Sequence, residues 1–185
     1  MKRDVLVTDK EKRDIVIYDI LVPSLLILYE KDYFNIAAGV SERNICARLA
    51  HHMEHLMNNH NSGIFDGYFV DVEYNRMGFD SPKYYENHKH ELKYMVSDMV
   101  IHSRGRSRNL LAVEMKRTGN NKNVQSDIKR LKSLVSTRLL NSENKCVYGT
   151  LVGAFILYST EGATVDIFED IDGRGAKTDD LLIER

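Results

Sequence analysis

Cysteine is scarce in this chain of 185 residues: Cys46 and Cys146 are the two it has. They lie far apart in apolar surroundings and form no C-x-x-C pair, which argues against a zinc knuckle or a dithiol redox motif. Two buried free thiols in a reducing cytosol are expected instead. Two prolines and eleven glycines leave little material for long flexible linkers. Neither sign of charge dominates, with 26 Lys and Arg against 27 Asp and Glu and a formal net charge of −1. Any binding to a polyanion then depends on basic residues gathered on one face. Long hydrophobic runs are also missing. Met1-Lys2-Arg3-Asp4 is not followed by the apolar core of a signal peptide. The most apolar stretch, 15–29, contains Asp19 and Pro23 and falls short of the roughly 20 residues a membrane span needs. The expectation is a cytoplasmic chain without a membrane segment. There is no G-x-G-x-x-G and no P-loop, which disfavours a nucleotide-cofactor enzyme. There is no internal repeat.

Hydrophobic residues make up 43% and charged residues 29%. That balance suits a globular chain, and the length suits one domain with a sizeable core. Residues 13–34 are apolar almost all round, as in a buried helix that Pro23 restarts or kinks. Ser41 is a good N-cap and Glu42 favours a first turn. Ile45, Leu49, Met53 and Leu56 then follow at helical spacing to about Asn58. Residues 68–75 alternate as a strand, and 78–92 read as a loop or short helix. Residues 94–102 and 109–116 read as the two strands of an antiparallel hairpin turning near Gly105. Val124, Ile128, Leu131, Leu134, Val135 and Leu139 space another helix. Residues 146–158 look like a central strand buried on both faces, 164–168 like an edge strand, and the chain from Asp170 like a mobile polar tail. The expected layout is one α/β domain, a mixed central sheet flanked by helices, with a helical extension over 1–40, a core over 41–169 and a tail over 170–185.

The chemistry concentrates in the hairpin. Glu114 and Lys116 are two apart on one strand and project from one face, while Val113 and Met115 point the other way. Asp98 lies on the preceding strand between Val96 and Val100, where an apolar residue would be ordinary. Two carboxylates and an amine on such a face are costly unless a metal or a reaction uses them. Asp98 and Glu114 offer the carboxylate oxygens a hard cation takes, the Met115 carbonyl a third ligand, and Lys116 a hold on attacking water. The plain alternative is a surface ion pair among the three.

Ser97-Asp98 followed, after a hairpin, by Glu114-Met115-Lys116 resembles the PD-(D/E)xK superfamily of restriction endonuclease-like nucleases, with Ser97 in place of the motif's proline. The order helix, strand, hairpin, helix, strand is also similar to that superfamily's core, over roughly 41–158. Stretches 40–45, 70–76 and 109–116 look like a group of uncharacterised bacterial nuclease-like proteins. The resemblance implies a restriction endonuclease-like core, Mg²⁺ or Mn²⁺ as cofactor, and phosphodiester hydrolysis in DNA rather than RNA. It also implies an acid on the first core helix. Glu42 is the choice there because Glu54 falls on the side opposite Ile45; the alternative role for Glu42 is helix capping. Metal ligands are then Asp98, Glu114, Met115 and Glu42, and catalytic residues Asp98, Glu114, Lys116 and Glu42. Arg76, Arg104, Arg106, Gln125 and Lys129 are candidate nucleic-acid contacts. A homodimer is expected of a double-strand cutter, which needs two centres.

Two other readings compete. A non-catalytic nucleic-acid-binding or protein-interaction module can keep a nuclease-like fold without its chemistry. His51-His52-Met53-Glu54-His55 matches the letters of the HxxEH zinc-peptidase motif. No later residue marks a third ligand, and surface histidines on an amphipathic helix account for it equally well.

Overall fold

The computed structural model describes residues 7–74, 76–77, 81–82, 84–86, 92–94, 96–104, 109–120, 122–137 and 150–185. Helix α1 (Asp9–Asp14) starts at Thr8, which shares a capping box with Glu11. Ile15–Leu21 then widens into a π-helical segment. Pro23 has no N–H for the Asp19 carbonyl, and the Val22 N–H reaches back five residues to the Ile17 carbonyl. Helix α2 (Val22–Lys31) and the short α3 (Tyr33–Ala37) follow. Pro23 therefore shifts the hydrogen-bond ladder without stopping the helix. Val16, Ile17, Ile20, Leu21, Leu25 and Leu28 are all fully buried. The segment expected as an extension is thus one wall of the main core.

Helix α4 (Glu42–Asn58) begins where the sequence places it: the Ser41 hydroxyl accepts the Asn44 N–H at 3.3 Å. Its buried stripe is Ile45, Leu49 and Met53. Strand β1 (Phe69–Tyr74) comes next, then two short pairs, β2 (Arg76–Met77) with β3 (Ser81–Pro82) and β4 (Tyr84–Glu86) with β5 (Leu92–Tyr94). The region expected as a loop or short helix therefore carries short strands. The strand expected over 94–102 is divided, with β6 running Ser97–His102. After it come β7 (Leu111–Arg117), α5 (Val124–Val135), β8 (Val152–Tyr158), β9 (Gly162–Ile171) and β10 (Arg174–Glu184). Leu139, Cys146 and Gly105 lie outside the described residues.

The main sheet has six strands in the order β1-β6-β7-β8-β9-β10. Every neighbouring pair is antiparallel except β7 and β8, which run parallel with α5 between them in the chain. The fold is α/β, a mixed open sheet with helices on both faces. On one face Met99, Ile101, Leu111, Val113, Met115, Ala154 and Ile156 join the core beneath α2 and α4. On the other, Ala112, Phe155 and Phe168 pack with Leu131, Leu134 and Val135 of α5. Glu114 and Lys116 therefore fall on the α5 face, in step with Ala112.

The strand expected as an edge, 164–168, is longer and is covered by β10, so the expected polar tail is a paired strand. Asp172 and Gly173 both have positive φ, 50° and 83°, as a two-residue hairpin turn requires. Backbone pairing holds β10, which needs few apolar side chains; Ile183 is its one buried residue.

Candidate active site

Strand register brings the acids together. Met99 pairs with Val113, so one residue along Asp98 stands level with Glu114. The Asp98 Oδ2 accepts the Met115 N–H at 2.7 Å, which fixes the carboxylate across the strand pair. Burial pushes the Asp98 carboxyl above its usual range, although the Met115 N–H and the nearby Lys116 pull it down.

Glu114 is 1% exposed. Arg130 of α5 grips it with both ends of its fork, Nε to Oε1 at 2.9 Å and Nη2 to Oε2 at 2.8 Å. Burial still pushes Glu114 up to about 8 from an ordinary 4.5, against the pull of Arg130 and with the push of Asp98. A proton and Arg130 therefore compete for the same oxygens near neutral pH.

Asp127, 2% exposed, closes the network from the helix. Its Oδ1 accepts Arg130 Nη2 at 2.6 Å, and Lys116 Nζ sits 3.1 Å from its Oδ2. That second contact is an ion pair without good hydrogen-bond alignment, so Oδ2 keeps an unmet acceptor. Burial alone would lower the Lys116 ammonium, but Asp127 outweighs it and holds the group above its usual value. With Glu114 ionised, Glu114, Arg130, Asp127 and Lys116 form an alternating chain of charges whose sum is zero. Asp98 adds one uncompensated negative charge beside it.

Glu42 reaches the same end of the sheet from the opposite face. Its Oε1 accepts the Arg117 N–H at 3.2 Å and Asn120 Nδ2 at 2.8 Å, tying the N-terminus of α4 to the end of β7. A cavity of about 320 Å³ opens here, lined by Ser41, Glu42, Arg43, Cys46, Val72, Glu73 and Asp98. It lies where the parallel strands β7 and β8 end, the usual ligand position in open α/β sheets. Glu73 falls between the pairs Val72 with Met99 and Tyr74 with Ser97, level with Asp98. Its φ of 53° is left-handed for a non-glycine residue, and Arg43 Nε donates to its Oε1 at 2.8 Å. Cys46 lies at the cavity wall with its Sγ 4.0 Å from Met115 Sδ, and burial pushes its thiol up.

Asp98, Glu114, Met115 and Lys116 thus stand together, with Glu42 at the same sheet end. The candidate nucleic-acid contacts are dispersed. Gln125 and Lys129 are exposed on α5. Arg104 is bound to Asp71 at 3.0 and 2.6 Å and covers the Phe69 ring, and His102 Nε2 is 2.7 Å from the same Asp71. That cluster sits four residues along β6 from Asp98, roughly 13 Å away. Arg106 and the Arg76 side chain lie outside the described residues. Arg130, Asp127 and Glu73 belong to the site although they are not among the residues proposed for it from the sequence. A signal for Asp127 exists: it falls four and seven residues before Leu131 and Leu134, on the buried stripe of α5.

For the HxxEH letters, His51 and His55 are exposed. His52 is the buried histidine of α4, its Nε2 2.6 Å from Asp32, which also accepts Arg48 Nε at 2.7 Å. This ties α4 to the end of α2 and serves packing. Among the described residues no group of three or more His, Cys, Asp or Glu side chains is placed to hold a metal ion as it stands. In kind, the donors at Asp98, Glu114 and the Met115 carbonyl fit a hard divalent cation, which takes oxygen ligands. In place, Arg130 already holds both oxygens of Glu114. Among the described residues no helix is long and apolar enough to cross a membrane. Comparison of the chain with protein-family models and with curated proteins finds no match in either.

Proposed function

We propose that this chain is a metal-dependent nuclease that hydrolyses phosphodiester bonds, in DNA as the resemblance implies, and that its core is restriction endonuclease-like. The observation that carries the reading is the joining of Asp98, Glu114 and Lys116 on adjacent strands, with Asp98 in the wall of a cavity that Glu42 and Glu73 also line. The element order around them supports it: helix α4, antiparallel strands β1, β6 and β7, helix α5, then β8 parallel to β7. That order is the one expected of the superfamily. Asp98 and Glu114, with the Met115 carbonyl, would hold Mg²⁺ or Mn²⁺. When bound, such an ion supplies Lewis-acid polarisation of a phosphate and a more acidic water. Lys116 holds the attacking water and offsets charge on the phosphate, its ammonium kept charged by Asp127. Glu42 fixes the end of β7 and with Glu73 keeps the cavity mouth acidic, suited to cations.

A second reading, a non-catalytic module on the same fold, is favoured by one observation: Arg130 neutralises Glu114 without any cation. Incubating the chain with single- and double-stranded DNA and RNA, with Mg²⁺, Mn²⁺ or EDTA, separates the two. Cleavage that needs the cation and is lost in Lys116→Met supports the nuclease. Retained nucleic-acid binding with no cleavage under any condition supports the module.

A further inference from the structure

Resting on the metal-dependent reading, we propose that Arg130 stands in for the divalent cation at Glu114 and must leave that carboxylate, while staying tethered to Asp127, for a cation to bind. Arg130 donates to both oxygens of Glu114, at 2.9 and 2.8 Å. Glu114 is nearly sealed, and Arg130, 19% exposed, already occupies both of its oxygens. A cation therefore reaches Glu114 by replacing the guanidinium. Charge points the same way. The four-group chain is neutral with Arg130 in place and Glu114 ionised, and a dication beside a guanidinium on one carboxylate would be strongly repelled at such short range. Removing Arg130 from Glu114 does not strand it. Its Nη2 also donates to Asp127 Oδ1 at 2.6 Å, and Asp127 lies three residues back on the same helix, where helix geometry keeps the two adjacent. Asp127 thus acts as the pivot, holding Arg130 by one oxygen and Lys116 by the other. The device keeps a buried carboxylate compensated when no cation is present, and it makes cation binding weaker than the bare donor set would give.

The test is magnesium titration calorimetry on the full chain. Wild type, Arg130→Met, Arg130→Lys and Glu114→Gln are compared. Losing a bidentate charge-assisted grip should tighten Mg²⁺ binding about tenfold in Arg130→Met, and Glu114→Gln should bind far more weakly than either. If Arg130→Met does not fold, Arg130→Lys, which cannot hold both oxygens, should show the same gain at smaller size. Mg²⁺ binding that is equal or weaker in the Arg130 variants than in wild type overturns the stand-in role while leaving the metal-dependent reading intact. No Mg²⁺ binding in wild type or in any variant overturns both.

Discussion

Replacing Glu114 by Gln should make the protein relatively more stable as pH rises. The reasoning starts from burial, which raises the folded-state value of Glu114 to about 8 against 4.5. Between those values the folded chain binds a proton that the unfolded chain has released. Stability contributed by this group therefore falls as pH rises through that window, and is fully lost above about 8. At about 1.4 kcal/mol per unit, the burden is roughly 1 kcal/mol at pH 5, roughly 3 at pH 7 and roughly 5 at pH 9. Gln has nearly the same shape and no such burden. It does turn an amide N–H₂ toward the Arg130 fork, a mismatch costing about 1–3 kcal/mol at every pH. That offset cancels in the difference between two pH values. Urea unfolding of both proteins in EDTA at pH 5, 7 and 9 should show the Gln variant gaining roughly 2–3 kcal/mol on wild type from pH 5 to 7 and roughly 1 more from pH 7 to 9. Parallel curves would mean Glu114 titrates in its ordinary range. A Glu114 held at or below its ordinary range by Arg130 would also give parallel curves between pH 5 and 9, and either cause would refute the reasoning outright.

Other outcomes follow from the same contacts. Lys116→Met should abolish cleavage yet fold, with a stability loss of about 1–3 kcal/mol because the buried Asp127 loses an ion-pair partner; a cleavage assay beside a thermal melt reads both. If Glu114 holds the proposed cation, that cation displaces a proton at neutral pH, so Mg²⁺ binding should tighten from pH 6 to 8 and the calorimetric heat should depend on the buffer. Gly175→Ala should destabilise by about 1–3 kcal/mol, since its Cβ would stand 2.1 Å from the Lys132 carbonyl oxygen; amide exchange should show β10 loosening first. His51→Ala with His55→Ala should leave divalent-cation binding unchanged in titration calorimetry, because both are exposed and neither lines the cavity at Asp98.

The parts legible in the sequence are those where side-chain pattern and environment agree. The α4 helix announces itself through its Ser41 cap and apolar stripe. The β6–β7 hairpin was readable because Glu114 and Lys116 interrupt an otherwise apolar pattern, and period-two geometry forces them onto one face. The start of β6 was blurred because 92–94 pairs with 84–86 as a separate unit. The β10 strand leaves little trace in the sequence because its side chains are mostly polar and its stability comes from backbone pairing. The Asp172-Gly173 turn was the available signal, a dipeptide that favours hairpins. At the site, the ligand-type residues were legible, but their counter-charges were not. Arg130 and Asp127 come from a helix whose rotation onto the sheet depends on packing by Leu131, Leu134 and Val135. Glu73 was placed by a left-handed backbone turn inside a strand, which an alternating pattern cannot reveal.

The most direct measurement is cleavage of a labelled DNA duplex and its single strands with Mg²⁺ or Mn²⁺, comparing wild type with Asp98→Asn and Glu114→Gln proteins shown to be folded. Cation-dependent cleavage by wild type, absent in both variants and in EDTA, is expected if these carboxylates are the catalytic centre. Cleavage that persists in the folded variants, or none from wild type on any DNA or RNA with either cation, would contradict it.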